Sequence, residues 1–285
     1  MAARPGTLEH AMLHLDEPTW RARAQAHADR ADALTAAHRS RRERHESHPV
    51  EDFLYTYYPT RPNRLRVWHP GPGVVLEHSD RAGWKHYSPD GGYVDPTTVR
   101  PATVAFVRGL LAATASRAPH LGCFGLHEWA MVYRADDTRH PVPLRLGAAG
   151  TDAVVEQHRI RCTHVDAYRF FTAEAAPRNV ETPTRERQVE LEQPGCLHAT
   201  MDLYKWATKL GPLVPGELLL DCFELARDVR TLDMRASPYD LADHGYAPVR
   251  IETAAGKATY AQAQQGFADR GANLRERLLD VLRDC

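Results

Sequence analysis

Polar positions in CLHATMDLYKW, residues 196–206, recur along one stripe. His198, Asp202, Lys205 and then Lys209 follow one another at intervals of four, three and four, while Leu197, Thr200, Met201, Leu203, Tyr204, Trp206, Ala207 and Leu210 fill the remaining circumference. The pattern predicts a largely buried helix near residues 195–210. Its stripe is either the one wet edge of an amphipathic helix or a face turned to a cleft where His and Asp do chemistry. After the turn GPLVPG a second helix, residues 217–231, carries Glu217, Asp221, Glu224 and Asp228 at the same kind of spacing. Folded back as an antiparallel hairpin, the two stripes would set Lys209 beside Glu217, Lys205 beside Asp221, Asp202 beside Glu224 and His198 beside Asp228.

Elsewhere the patterning is mostly helical. Residues 18–46 are rich in Ala and Arg and predict an exposed charged helix, whose basic end, Arg39 to Arg44, is a solvated face or a phosphate contact. Four prolines, Pro59, Pro62, Pro70 and Pro72, forbid a continuous helix through the aromatic stretch that follows, so a small antiparallel strand pair is expected from about Leu65 to Tyr87, turning at His69 to Gly73. VAFVRGLLAATASRAP predicts an apolar helix ended by Pro119. The β-branched and aromatic residues between Ile160 and Phe171 favour a strand, on which Cys162, His164 and Asp166 would share one face. Residues 173–193 are polar and charged and suit a mobile surface loop, and Ala258–Arg283 suits a long amphipathic packing helix. The expected architecture is mainly α with a small antiparallel β element near residues 65–95, organised as a charged helical extension over 1–47 and a single domain over 48–285.

Composition narrows the function classes. With 285 residues, 43% of them hydrophobic, the chain buries a sizeable core without staples. A net charge of −1 argues against a surface built throughout to grip polyanions, while leaving room for a local basic patch. Five widely spaced cysteines at 123, 162, 196, 222 and 285, with no CxxC, make neither a disulfide framework nor a thiolate zinc site, and point to a reduced cytoplasmic setting. No apolar run is long enough to cross a membrane, and the opening MAARPGTLEH has no signal-peptide core.

Candidate chemistry gathers on the hairpin. Asp202 against Glu224, flanked by His198, is a like-charge pair that a metal could neutralise or a shared proton could settle. Paired helices donating carboxylates and imidazoles build metal sites in bundles, and His164, His198, Asp202 and Glu224, with His127 in reach, are the candidate ligands for iron or another divalent ion. An Asp-Arg pair, Asp233 with Arg235, is expected just past the second helix as an anchor for backbone or a polar ligand.

The stretches HPVEDFLYTYYPTRPNRLRVWHPGPGVVLE, CFGLHEWAMVYR, CTHVDAYRFFT, EQPGCLHATMDLYKWATKL and ELLLDCFELARDVRTLDMRASPYDL resemble a family of bacterial proteins labelled 3-methyladenine DNA glycosylase, over nearly the whole chain from about His48. The resemblance implies removal of an alkylated purine from duplex DNA by hydrolysis of its N-glycosidic bond, without a cofactor. Such an enzyme needs flat walls for the extruded base and a carboxylate beside it. Glu128, Asp202 and Asp233 are then the candidate acids, Trp129, Tyr168 and Tyr204 the candidate walls, and Arg169, Lys205, Arg235 and the Arg61 to Arg66 cluster the candidate phosphate contacts. KLGPLVPGE stands about twenty residues before Asp233, as a phosphate-binding hairpin would, with Pro212 and Pro215 in place of amide donors. Three readings remain open: base excision, a metal-dependent oxygenase or hydrolase on the His and carboxylate set, and a binding protein whose polar stripes are buried ion-pair networks.

Overall fold

In the computed structural model, which describes residues 12–58, 60–283 and 285, the chain forms eleven α-helices and a two-stranded sheet. MAARPGTLEH, where no signal-peptide core was expected, and Pro59 lie outside the described residues. In chain order the elements are β1 (Leu13–Leu15), α1 (Glu17–Glu43), α2 (Phe53–Thr56), α3 (Pro62–Leu65), β2 (Val74–Leu76), α4 (Pro101–Ala115) and α5 (Leu126–Ala130). They continue with α6 (Gly147–Gln157), α7 (Val165–Tyr168), α8 (Gln188–Leu191), α9 (Leu197–Leu210), α10 (Gly216–Arg235) and α11 (Ala254–Val281).

The helix read first from the sequence is the centre of the molecule. Eleven of the fourteen residues of α9 are buried, and it packs against α10, α11 and α4, so the main core surrounds it rather than lying to one side. Met201, Leu203, Tyr204 and Trp206 on α9 join Leu220, Phe223, Leu225 and Val229 of α10 in that core. Close approach of α11 depends on a missing side chain: a Cβ on Gly271 would stand 3.1 Å from Thr200.

α1 is docked, not free. Asp16 caps it by accepting from the Thr19 amide at 2.9 Å. Trp20, His27, Ala31, Thr35 and His38 form its buried face, spaced at helical intervals. That face meets α3 and α10, while Arg23 pairs with Glu217 and Arg30 with Asp221 and Glu224.

The mainly α expectation with a small β element matches the structure, and the sheet itself is parallel: Leu13–Leu15 pairs with Val74–Leu76, Leu13 opposite Val74. Antiparallel pairing is present as single bridges, Val75 to Tyr93 and Tyr87 to Val94. Pro62, at the first turn of α3, starts a short helix that ends at Leu65, where the strand pair was expected to begin. The strand expected from Ile160 is one bridge to Asn179, because the Asn179 amide takes both backbone groups of Cys162, accepting from its N–H and donating to its carbonyl at 2.8 Å each. The chain then turns into α7, so Cys162, His164 and Asp166 do not share a strand face. Residues 173–193 are anchored rather than a free loop: Gln188, Glu192 and Gln193 are buried, and Arg185 reaches Asp166 at 2.6 Å. No described helix is long and apolar enough to cross a membrane, and Cys123, Cys162, Cys196 and Cys222 are free thiols.

Burial of histidine away from the core centre makes stability pH-dependent. His69 bonds the Tyr87 hydroxyl at 2.9 Å, and burial, helped by the Arg81 charge, pushes its pKa down to about 3. The unfolded chain therefore takes up a proton near pH 6.5 that the folded chain excludes, so stability present above that pH is lost as the pH falls. Urea unfolding at pH 7 and pH 5 should show about 1–2 kcal/mol less loss in His69→Gln than in wild type. Equal losses would mean that His69 is not held neutral.

Candidate functional site

The stripe of α9 faces inward, onto α5, the segment entering α7 and the end of α10. His198 and Asp202 are buried and Lys205 half-buried. The His198 ring stands between two others, with ring centres 4.6 Å from His127 and 5.3 Å from His164. Asp202 accepts from the Tyr58 hydroxyl at 3.0 Å and Lys205 at 2.8 Å, and lies 3.2 Å from His164 Nε2. Lys205 also reaches Asp166 at 2.9 Å.

α5 supplies two of the groups. Phe124 and Gly125 both adopt left-handed backbone at its entry, which turns a short, wholly buried helix so that His127 and Glu128 both face polar partners. A side chain on Gly125 would press on Ala236 and Tyr260, so glycine is needed there for space as well as for its positive φ. His127 lies 2.9 Å from Asp233 through Nε2 and 3.3 Å from the Cys123 thiol through Nδ1. Glu128 accepts from Arg230 at 2.9 Å. Arg230 also stands 3.4 Å from Asp233, one turn along α10.

Two sets of three ligand-type atoms result among the described residues, His127–His198–Asp233 and His164–Glu192–Asp202, each within 4.8 Å. They differ in how they are satisfied. His127 Nε2 and Asp233 Oδ1 form a buried ion pair at 2.9 Å, and neither atom has a further hydrogen-bond partner among the described residues. With His127 deprotonated, both could instead turn lone pairs to a common cation. In the second set, the Lys205 ammonium already stands against Asp202 and Tyr58 donates to it, while Gln188 donates to Glu192 at 2.6 Å. The second set is a salt-bridge network; the first is a grouping that could hold a metal ion.

Burial and neighbouring charges set the protonation of the cluster. Burial pushes the His198 pKa down to about 3, and the charge of His127 adds to that, so His198 is a neutral imidazole at neutral pH. Burial opposes charge on His127 as well, but Asp233, and then Cys123, outweigh it and raise its pKa. Asp202 is held at about 2 against its burial by His164 and Lys205. Burial dominates for Glu128 and Glu192, which are raised despite Arg230 and His164.

A cavity of about 910 Å³ leads to this cluster, walled by Phe53, Tyr57, Tyr58 and Phe170 with Arg139 and Arg169 among its polar lining. A narrower space of about 80 Å³ shares Phe53, Tyr57 and Phe170 with it and ends on Glu128, Arg230 and His198.

The sequence-derived candidates separate into three groups. Glu128, Asp202, Asp233, His164 and His198 are gathered in the cluster, and Lys205 and Arg169 line the outer cavity. Glu224 is not with Asp202: it pairs with Arg30 at 2.6 Å on the opposite side of α10, because α10 turns its acidic stripe to α1 and α11, where Asp228 and Asp221 find Arg270 and Arg277. The hairpin register of paired stripes is therefore corrected. Trp129, Tyr168 and Tyr204 do not converge on the cavity. Trp129 is fully buried with its indole donating to Ala236 at 2.8 Å, Tyr204 is core with its hydroxyl on Thr60, and Tyr168 reaches Ala176. Asp233 lies inside α10 rather than beyond it, and its arginine is Arg230; Arg235 donates to the Ala247 carbonyl outside the site. Within the Arg61 to Arg66 cluster, Arg66 is engaged by Asp32.

Missed were Glu192, Arg230 and the walls Phe53, Tyr57 and Phe170. Only Arg230 left a signal, at three residues before Asp233 on the second helix. No family model, curated protein or solved structure matches the chain.

Proposed function

We propose that this chain is a metal-dependent hydrolase whose centre is His127, His198 and Asp233. The observation that carries the reading is a cavity lined by His198, whose ring stands 4.6 Å from that of His127, which forms a buried pair with Asp233 at 2.9 Å whose facing atoms have no other hydrogen-bond partner among the described residues. Two imidazoles and one carboxylate suit zinc or iron, whereas calcium and magnesium take oxygen ligands. Such an ion supplies Lewis acidity and a more acidic bound water. The protein's own groups do the rest: Glu128, raised by burial and held by Arg230, is the proton-transfer group at the inner end of the cavity, and Cys123 orients His127 through its other nitrogen. Lys205 keeps Asp202 ionised and fixes the second network as a rigid wall.

Metal analysis of the purified chain tests this. About one equivalent of zinc or iron is expected, lost in His198→Ala and kept in Glu224→Ala. No retained metal, together with no stabilisation by added zinc or iron, would sink the reading. Iron with oxygen consumption and no hydrolysis would move the same centre to oxygenase chemistry.

A second reading, excision of alkylated bases from DNA, keeps support from one observation: the cavity combines aromatic walls with the cations Arg139, Arg169, Lys205 and Lys209. It predicts release of 3-methyladenine from methylated duplex DNA and salt-dependent DNA binding, both weakened by Arg169→Ala. Absence of both would end it.

A further inference from the structure

The charges around the outer cavity specify what enters it. Its two acids are already matched. Asp166 has Lys205 at 2.9 Å and Arg185 at 2.6 Å, and Asp52 has His38 at 3.0 Å and the His48 amide at 2.7 Å. Apart from Lys205, its Arg and Lys side chains are not. Arg139 and Lys209 have no carboxylate within ion-pair distance among the described residues, and Arg169 has only a long contact of 3.6 Å to Asp166. The two guanidiniums flank one ring, at 4.0 Å (Arg139) and 4.6 Å (Arg169) from the centre of Phe170, which places two planar donor sets at the same point of the wall with donors to spare. Between that point and His198 the lining includes Phe53 and Tyr57, stacked at 4.9 Å, beside Met131, His140, Asp166 and the Glu128–Arg230 pair.

We propose that the ligand of this cavity is an organic anion, an apolar body carrying a carboxylate or a phosphate, its anionic head on Arg139 and Arg169 and its body along Phe53 and Tyr57. The proposal deepens the hydrolase reading, and rests on it for the assumption that this cavity is the route to the centre. A neutral apolar molecule would leave the guanidiniums unmatched. A polyanion would need a basic field beyond this one cavity, which a chain of net charge −1 does not provide overall.

Isothermal titration of the full chain with 1-naphthyl phosphate, 1-naphthoate and uncharged 2-naphthol tests it, with the tighter of the two anions identifying the head group. Both anions should bind more tightly than naphthol, should weaken roughly tenfold in each of Arg139→Gln and Arg169→Gln, and should weaken further as salt rises. Naphthol should be indifferent to both substitutions. Naphthol binding as tightly as the anions, anion affinity untouched by either substitution, or no binding of any of the three would overturn the proposal. Because the readout is binding and neither arginine is one of the residues proposed to hold the metal, a failure here is separate from a failure of the metal analysis.

Discussion

Asp233→Ala will destabilise the fold by about 3–5 kcal/mol and abolish metal retention. The side chain is fully buried between His127, at 2.9 Å, and Arg230, at 3.4 Å, so its removal strands two cationic groups in a place without water. In a domain of this size that corresponds to a fall in melting temperature on the order of 10 °C. Asp233→Asn keeps the volume and removes only the charge, so it should lose metal with a smaller loss of stability. Calorimetry paired with metal analysis reads both. A stable Asp233→Ala protein that still retains metal would remove this residue from the centre.

Lys205→Met should cost about 3 kcal/mol, the next largest effect, since the ammonium serves Asp202 at 2.8 Å and Asp166 at 2.9 Å, and both acids are buried. Double-mutant cycles resolve its partners. Lys205 with Asp166 should show coupling above about 1 kcal/mol, while Lys205 with Asp221 should be additive within about 0.5 kcal/mol. The reverse result would restore the hairpin register read from the two stripes, in which Lys205 and Asp221 were neighbours.

That register shows where the sequence stopped being informative. The period of α9 is a local property, so the helix, its buried circumference and its His–Asp–Lys stripe were all legible. What the stripe faces is set by residues far along the chain: His127 and Glu128 on a helix of five residues, His164 at the end of an extended segment, and Glu192 in a polar stretch that looked like surface. Helices this short carry no periodicity. The acidic stripe of α10 was read correctly as a stripe and assigned the wrong partner, because the arginines of α1 and α11 meet it through tertiary packing, and α1 read as an exposed helix. The aromatic walls were misplaced for a related reason. Trp129 and Tyr204 are large and stand next to acids in sequence, but helical neighbours point apart, and the core claimed them.

The floor and the walls of the cavity are made by different kinds of chain. Its floor comes from α5, α9 and α10, which are locked into the central core, whereas Phe53, Tyr57, Arg139, Arg169 and Phe170 come from the one-turn helix α2 and from connecting segments. Exchange of a few residues in those segments can therefore change which molecules are admitted while the chemistry beneath is inherited unaltered. The scaffold is built for diversification, with selectivity and reactivity free to drift at separate rates.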